Sequence, residues 1–291
     1  MSGICVTTVC AGVKAVNGGI FLGTAIGVHW AVSKDESDRR RRMAEFESWR
    51  SFQKFRREVV RERRYIRTRE ADSFLDAVAA TCGQRVKTVP TGWIAWRAQI
   101  GCDWRQEEDY EMPCPLPVER MKPLTDRASE GRVNPKGIPC LYLATTRETA
   151  MSEVRPWVGS LVSVAQFRIV RELRVVDCSV NHSEFAFYFA EGSPEERVKA
   201  VWTDIDRAYA QPTTRTDDTA DYTPTQVLAE LFRDRGFDGL VYKSAFGENG
   251  YNVALFDVEA AVPLNCELFE TKGIECVFDH MDGPYFVRSQ E

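Results

Sequence analysis

Three residues in one short stretch could do chemistry together. In residues 131–156, GRVNPKGIPCLYLATTRETAMSEVRP, a loop carries Arg132, the apolar run after it carries Tyr142, and the segment after that carries Glu153. A carboxylate stabilises a neighbouring positive charge, a guanidinium grips anionic oxygens in a planar fork, and a phenol ring offers a flat face to another ring. Two readings of the trio stay open on the residues alone. Arg132 and Glu153 could instead neutralise each other, with Tyr142 as core.

The elements that must position the trio are legible around it. Cys140 to Ala144 is continuously apolar or aromatic and reads as a buried strand. A helix should follow, with Thr145 as its cap and Glu148 reaching back to complete a capping box. Pro156 stops it. On that helix Glu153 lies one turn from Ala150 and one from Trp157, so its charge borders the apolar face. Such a position is costly for a charge without a partner.

Composition places the chain in the ordinary globular class, with 44% hydrophobic and 28% charged residues in 291. That length allows one large domain with an appendage. The net charge of -5 argues for solubility and not for a polyanionic partner. Nine cysteines without a CxxC pair, and only three histidines, give no tetrahedral zinc spacing. Cys102 and Cys114 are expected to be reduced thiols of a cytoplasmic protein.

Four regions are expected. Residues 1–33 form a low-charge leader; Ala15 to Ser33 lacks Asp, Glu, Lys and Arg, but its glycines, Asn17 and His29 make it too weakly apolar for membrane insertion to be expected. Residues 34–90 are helical, with a long amphipathic helix over 34–83 whose stripe is Phe46, Trp49, Phe52, Phe55, Val59 and Val60. Lys34 to Asp72 holds 14 Lys/Arg against 9 Asp/Glu. Acids interleave with that local basic surplus, so a solvated face is expected and nucleic acid is not. The aromatic stripe should dock on the catalytic domain or on a second copy of the chain.

Residues 91–263 are expected to form the main domain, and 264–291 a tail without a motif. In the domain, Trp93 to Arg97 reads as a strand with Arg97 at its end, facing either a phosphate or an ion pair with Asp103 or Glu107. Cys102 to Lys122 looks too rich in proline for regular structure. Ser160–Val170 and Leu173–Asp177 read as strands, and Glu184–Ala190 as an aromatic segment lining a pocket or core. Pro194–Tyr209 reads as a helix. Thr223 and Pro224 should open another, with Gln226 placed to complete its cap. Phe237–Tyr242 and Tyr251–Asp257 read as a hairpin, with Ser244 where the first strand enters the turn. A serine there is usually a turn residue, and no histidine is close enough in sequence to suggest a serine nucleophile.

The stretch Gly131, Arg132, Val133, Asn134, then Tyr142, then Glu153, resembles the central motif of the RES domain, a family named for an arginine, a glutamate and a serine. Trp96, Arg97 and Ala98 resemble its opening strand. Tyr222–Glu230 and Gly236–Phe256 resemble its helix and closing hairpin, with Ser244 in the serine position. The resemblance spans roughly residues 93–263, and Val133 departs from the aromatic that many members carry.

The resemblance implies an α+β, ADP-ribosyltransferase-like fold with a mixed or antiparallel sheet and flanking helices. It also implies NAD as a consumed substrate, no metal, and toxin-like members blocked by a partner antitoxin. Residue by residue, it gives Arg97 and Arg132 the phosphates and Tyr142 the nicotinamide ring. Glu153 takes the ribose and its developing cation, and Ser244, with Gln226 nearby, takes the remaining pocket contacts. Cleavage of nicotinamide from ribose passes through an oxocarbenium-like state that a carboxylate stabilises, and its leaving group is already cationic. Water, phosphate or a protein side chain could accept the ADP-ribosyl group. A catalytically silent module whose basic helix binds a partner, a nucleic acid or a membrane surface is the alternative.

Overall fold

The structure is a computed structural model and describes residues 45–124, 127–182, 184, 191–211, 219–247, 249–280 and 283. The expected leader, the first part of the expected helix and most of Glu184–Ala190 lie outside the described residues.

Eight strands form one mixed sheet. They are β1 (Val86–Val89), β2 (Ile94–Ile100), β5 (Leu141–Ala144), β6 (Leu161–Ile169), β7 (Leu173–Asp177), β8 (Gly239–Lys243), β9 (Tyr251–Leu255) and β10 (Ala261–Glu270). Their order across the sheet is β1-β7-β8-β9-β5-β2-β6-β10. β7 and β8 run parallel, and the other neighbours are antiparallel. A separate hairpin joins β3 (Asp103–Glu107) to β4 (Tyr110–Cys114).

Alternation along the strands sends side chains to two different cores. Leu141, Leu143, Val253 and Leu255 join Phe167, Ile169, Leu173 and Met121 on one face. Ala254, Tyr142 and Tyr242 join the helical layer on the other. That layer comprises α1 (Ser51–Arg61), α2 (Arg69–Thr81), α4 (Pro194–Ala210) and α5 (Thr223–Asp234). The short α3 (Arg147–Glu153) covers a third cluster, where Ala150 meets Ala98, Ala144, Val162 and Val164. β2 and β5 are bridged at a single position, Trp96 with Ala144. The ladder is therefore thinnest beside Tyr142 and Arg97.

The long amphipathic helix is broken in two. Thr68 caps α2 by accepting from the Ala71 N–H at 3.2 Å. It also donates through its own N–H and hydroxyl to Glu58 of α1, at 2.8 and 2.7 Å. The break lets α2 fold back, so that Phe74 reaches Phe46, Phe52 and Phe55 with ring centroids 5.7, 6.3 and 4.5 Å away. One straight helix could not bring those rings together. Apart from Trp49, the stripe packs in the same cluster as α4 and α5. Gly83, the last residue of the expected helix, lies within the 3-10 turn Cys82–Arg85.

Other local differences have equally local causes. The proline-rich connection does hold regular structure, because Glu108 adopts a positive φ of 46° that closes a tight hairpin and Pro113 sits on an exposed strand. Thr145 still belongs to the sheet end, donating to the Tyr251 carbonyl, so the cap of α3 is Thr146. Glu148 meets Arg147 at the surface instead of reaching back to the cap. α5 starts one residue early, with Tyr222 at its cap position and Thr223 already helical. β10 runs on to Glu270, into the stretch assigned to the tail. Among the described residues no helix is long and apolar enough to cross a membrane.

The helical layer is pinned by Trp202. Its ring is fully buried and stacks on Phe232 at 6.3 Å, the Arg85 guanidinium lies 4.4 Å above it, and its N–H donates to Thr81 at 3.0 Å. Trp202→Ala should therefore destabilise the protein by about 3–5 kcal/mol, the usual cost of removing a buried large aromatic. Urea unfolding measures this, and a loss below about 1 kcal/mol would show that α4 does not hold α1 and α2 to the sheet.

Candidate functional site

Glu153 ends α3, and its direction is set by two side chains distant in sequence. Its Oε1 accepts from the Ser244 hydroxyl and from the Asn252 amide, each at 2.6 Å. Its Oε2 has no protein partner among the described residues. A half-buried carboxylate with one oxygen clamped presents the other in a fixed direction.

The clamp is itself built. Ser244 leaves β8 with its N–H bonded to the Gly250 carbonyl, and its hydroxyl also accepts from the Phe246 N–H at 3.0 Å. Lys243 is buried beneath the turn, donating to the carbonyls of Gly247 and Gly250 at 2.7 and 3.0 Å. A Cβ on Gly250 would lie 2.4 Å from the Thr149 hydroxyl and 2.8 Å from the Phe246 carbonyl. Only glycine lets this turn approach α3 closely enough for Ser244 to reach Glu153. Asn252 lies opposite Tyr242 in the β8–β9 ladder.

Arg132 is held by a second network. The Tyr142 hydroxyl donates to the Asn134 side chain at 2.7 Å and accepts from the Val133 N–H at 3.0 Å. The Gln226 amide donates to the carbonyls of Gly131 and Asn134 at 2.9 and 3.2 Å and to Glu130 at 3.1 Å. Gln226 thus props the arginine loop instead of capping α5. Arg132 donates to the carbonyls of Ala208 and Gln211 at the end of α4 and lies 5.6 Å from the Tyr222 ring centre. Carbonyls at a helix C-terminus favour a cation. Arg132 therefore anchors to α4, and the Arg132–Glu153 ion pair allowed by the residues alone does not form.

Tyr242 links the two networks electrostatically. Burial pushes its phenol well above the usual range, the Glu153 charge pushes it further, and the Arg132 charge opposes. The phenol is therefore a neutral donor at physiological pH. Tyr142 is likewise raised, by burial.

Arg97 lies mid-strand, where β2 and β5 part. Its Nη1 donates to the Tyr142 carbonyl at 3.0 Å, and its buried Nε has no hydrogen-bond partner. It makes neither of the ion pairs open to it in the sequence. Burial lowers its pKa. A hollow of about 180 Å³ there is lined by Arg97, Arg120, Lys122, Arg127, Asn134 and Tyr142. Ser244 lines another, of about 750 Å³, with Lys243, Gln211, Arg207 and His182. The structure thus joins Glu153 to Ser244, holds Arg132 on the end of α4, and places Gln226 against the backbone of the arginine loop. Arg97 and Tyr142 share the smaller hollow. Among the described residues no cluster of three or more His, Cys, Asp or Glu side chains could hold a metal.

Asn252 and Tyr242 escaped the sequence reading. Asn252 had a signal, being the one amide in an otherwise apolar or aromatic strand, YNVAL. Tyr242 had none, because an inward tyrosine reads as core.

The arginine loop gives a testable coupling. A Cβ on Gly131 would lie 2.5 Å from the Tyr142 hydroxyl. Gly131→Ala should cost about 1–3 kcal/mol by displacing the hydroxyl from its partners. Combined with Tyr142→Phe, the total loss should fall short of the sum of the single losses, because one clash and one network underlie both. Thermal unfolding of the four proteins measures this; strictly additive losses would disprove the coupling.

Three comparisons with known proteins bear on this geometry. No curated protein matches the chain. A solved structure described as the crystal structure of the M. tuberculosis MbcT-MbcA toxin-antitoxin complex is similar at 16% identity with a TM-score of 0.38, covering 66% of this chain and 92% of that one. The model of the RES domain matches residues 94–270. That match runs from the first residue of β2 to the last of β10 and takes in Arg97, Arg132, Tyr142, Glu153, Gln226 and Ser244. Spanning more than half of the chain, it shows that this protein belongs to the RES-domain family.

Proposed function

We propose that the protein consumes NAD by breaking the bond between nicotinamide and ribose, with Glu153 stabilising the positive charge that develops on the ribose. One observation carries the reading: a carboxylate with one oxygen fixed by Ser244 and Asn252 and the other without a protein partner among the described residues, its serine lining a hollow of about 750 Å³. Such an oxygen faces the oxocarbenium-like transition state already oriented, so little reorganisation is needed when charge appears.

The other roles follow in chemical order. A dinucleotide laid across the Gly131–Asn134 loop would place its ribose at Glu153 and its phosphates toward Arg132 and the basic hollow of Arg97. Tyr142, whose hydroxyl braces that loop, would offer its ring edge to the nicotinamide. Nicotinamide leaves as a neutral base, so no acid is needed on the leaving nitrogen. No metal is called for. Family membership supports NAD as substrate, a toxin-like role in the cytoplasm, and an antitoxin partner. The acceptor is water or phosphate in this reading, with transfer to a protein side chain as the alternative. A silent binding module built on the basic helix is less favoured, because the aromatic stripe of that region is buried against the catalytic domain.

The first test is nicotinamide release from NAD. Glu153→Gln should slow turnover on the order of a thousandfold while leaving thermal unfolding unchanged, as expected for a group acting in the transition state. Arg97→Ala should raise KM for NAD more than it lowers kcat. Release by Glu153→Gln at the wild-type rate, or none from the wild type, would remove the reading.

A pH shift gives a second. Asn252→Asp sets a second carboxylate against Glu153, and like charges favour sharing a proton. The pKa of the pair rises, so the ionised Glu153 is lost sooner as pH falls. The pH–rate profile of the variant should move to the alkaline side of the wild type; an unshifted profile would show that Asn252 does not orient the reacting carboxylate.

A further inference from the structure

The hollow that Ser244 lines has a second titratable group on its wall. His182 lies just beyond β7, and its Nδ1 is 2.6 Å from Oδ2 of Asp206 in α4. Asp206 is 1% exposed at its side chain and His182 is 38% exposed. Facing a carboxylate, Nδ1 carries the proton, which leaves Nε2 as the basic nitrogen. Arg85 braces the segment from below, donating to the Val180 carbonyl at 3.2 Å. A buried carboxylate that fixes the tautomer of a solvent-facing imidazole is the arrangement that makes histidine a general base.

We infer that His182, positioned by Asp206, is the base that activates water as acceptor, so that the protein is an NAD hydrolase. The inference rests on the NAD-cleaving reading and names its acceptor. As the bond from ribose C1′ to the nicotinamide nitrogen breaks, its electron pair leaves with nicotinamide. The water oxygen bonds to C1′, and the water proton passes to His182 Nε2 and then to solvent. The products are nicotinamide, ADP-ribose and one proton, with no redox change. A phosphate anion would need no such base, being nucleophilic already.

Several charged groups surround the imidazole. Asp206 faces it from α4, with Arg207 on the same helix; Lys243 stands across the hollow from β8; Arg85 and Asp177 lie behind Asp206; and Glu184, paired with Lys199, follows on its own segment. Burial raises the pKa of Asp206, while His182 and Arg85 pull it down.

The test is nicotinamide release against pH in phosphate-free buffer, with wild type, His182→Gln and Glu153→Gln. Glutamine can keep the hydrogen bond to Asp206 but cannot take a proton. His182→Gln should lose about a hundredfold or more in kcat, within the usual range for a positioned base, with KM for NAD unchanged. The acid limb of the wild-type pH–rate profile should be missing from the variant. Free ADP-ribose should accumulate. Wild-type turnover that requires added phosphate overturns the inference without any variant. So does a His182→Gln enzyme as fast as the wild type, or one slowed with an unaltered pH profile. If Glu153→Gln is inactive and His182→Gln is not, the base alone is lost. If the wild type releases no nicotinamide, the NAD reading falls and takes the base with it.

Discussion

The site depends on a carboxylate held by two neutral donors. Ser244 and Asn252 come from the two strands of one hairpin and meet on the same oxygen of Glu153. An ammonium or guanidinium in their place would neutralise the carboxylate. A hydroxyl and an amide fix its direction while leaving its charge available to a ligand cation. Much of the surrounding structure serves that contact. Gly250 allows the turn to approach α3, Lys243 ties the turn from beneath, and the Thr146 cap ends the sheet one residue before the helix begins.

The arginine loop repeats the design with different parts. Its backbone is braced by Tyr142 from the sheet and by Gln226 from α5, while Arg132 itself reaches the carbonyls that end α4. Two sites of opposite charge are thereby fixed to different elements and kept from collapsing onto each other. Tyr242, buried and neutral, feels the charge of both Glu153 and Arg132. A pair that did collapse would be a salt bridge with nothing left to bind a substrate.

What the sequence disclosed follows from the range of each interaction. The strand carrying Tyr142, the helix carrying Glu153 and the hairpin carrying Ser244 were legible because periodicity and turn residues act over a few positions. The break at Thr68 was not, because it depends on Glu58 ten residues earlier and on Phe74 meeting three other rings. The cap role open to Gln226 fails for a similar reason. Its partners are carbonyls more than ninety residues away, and a glutamine near a helix start looks the same in either role. The order of arginine, glutamate and serine indicated the family, yet the amide of Asn252 that completes the clamp carries no such motif.

The most direct measurement of the central claim is a crystal structure with an NAD analogue whose nicotinamide bond cannot be cleaved. The account predicts the nicotinamide ribose within hydrogen-bond distance of Glu153 Oε2, with Ser244 and Asn252 still bonded to Oε1. An analogue seated away from Glu153, or a Glu153 that has turned from Ser244 and Asn252 to pair with Arg132, would contradict it.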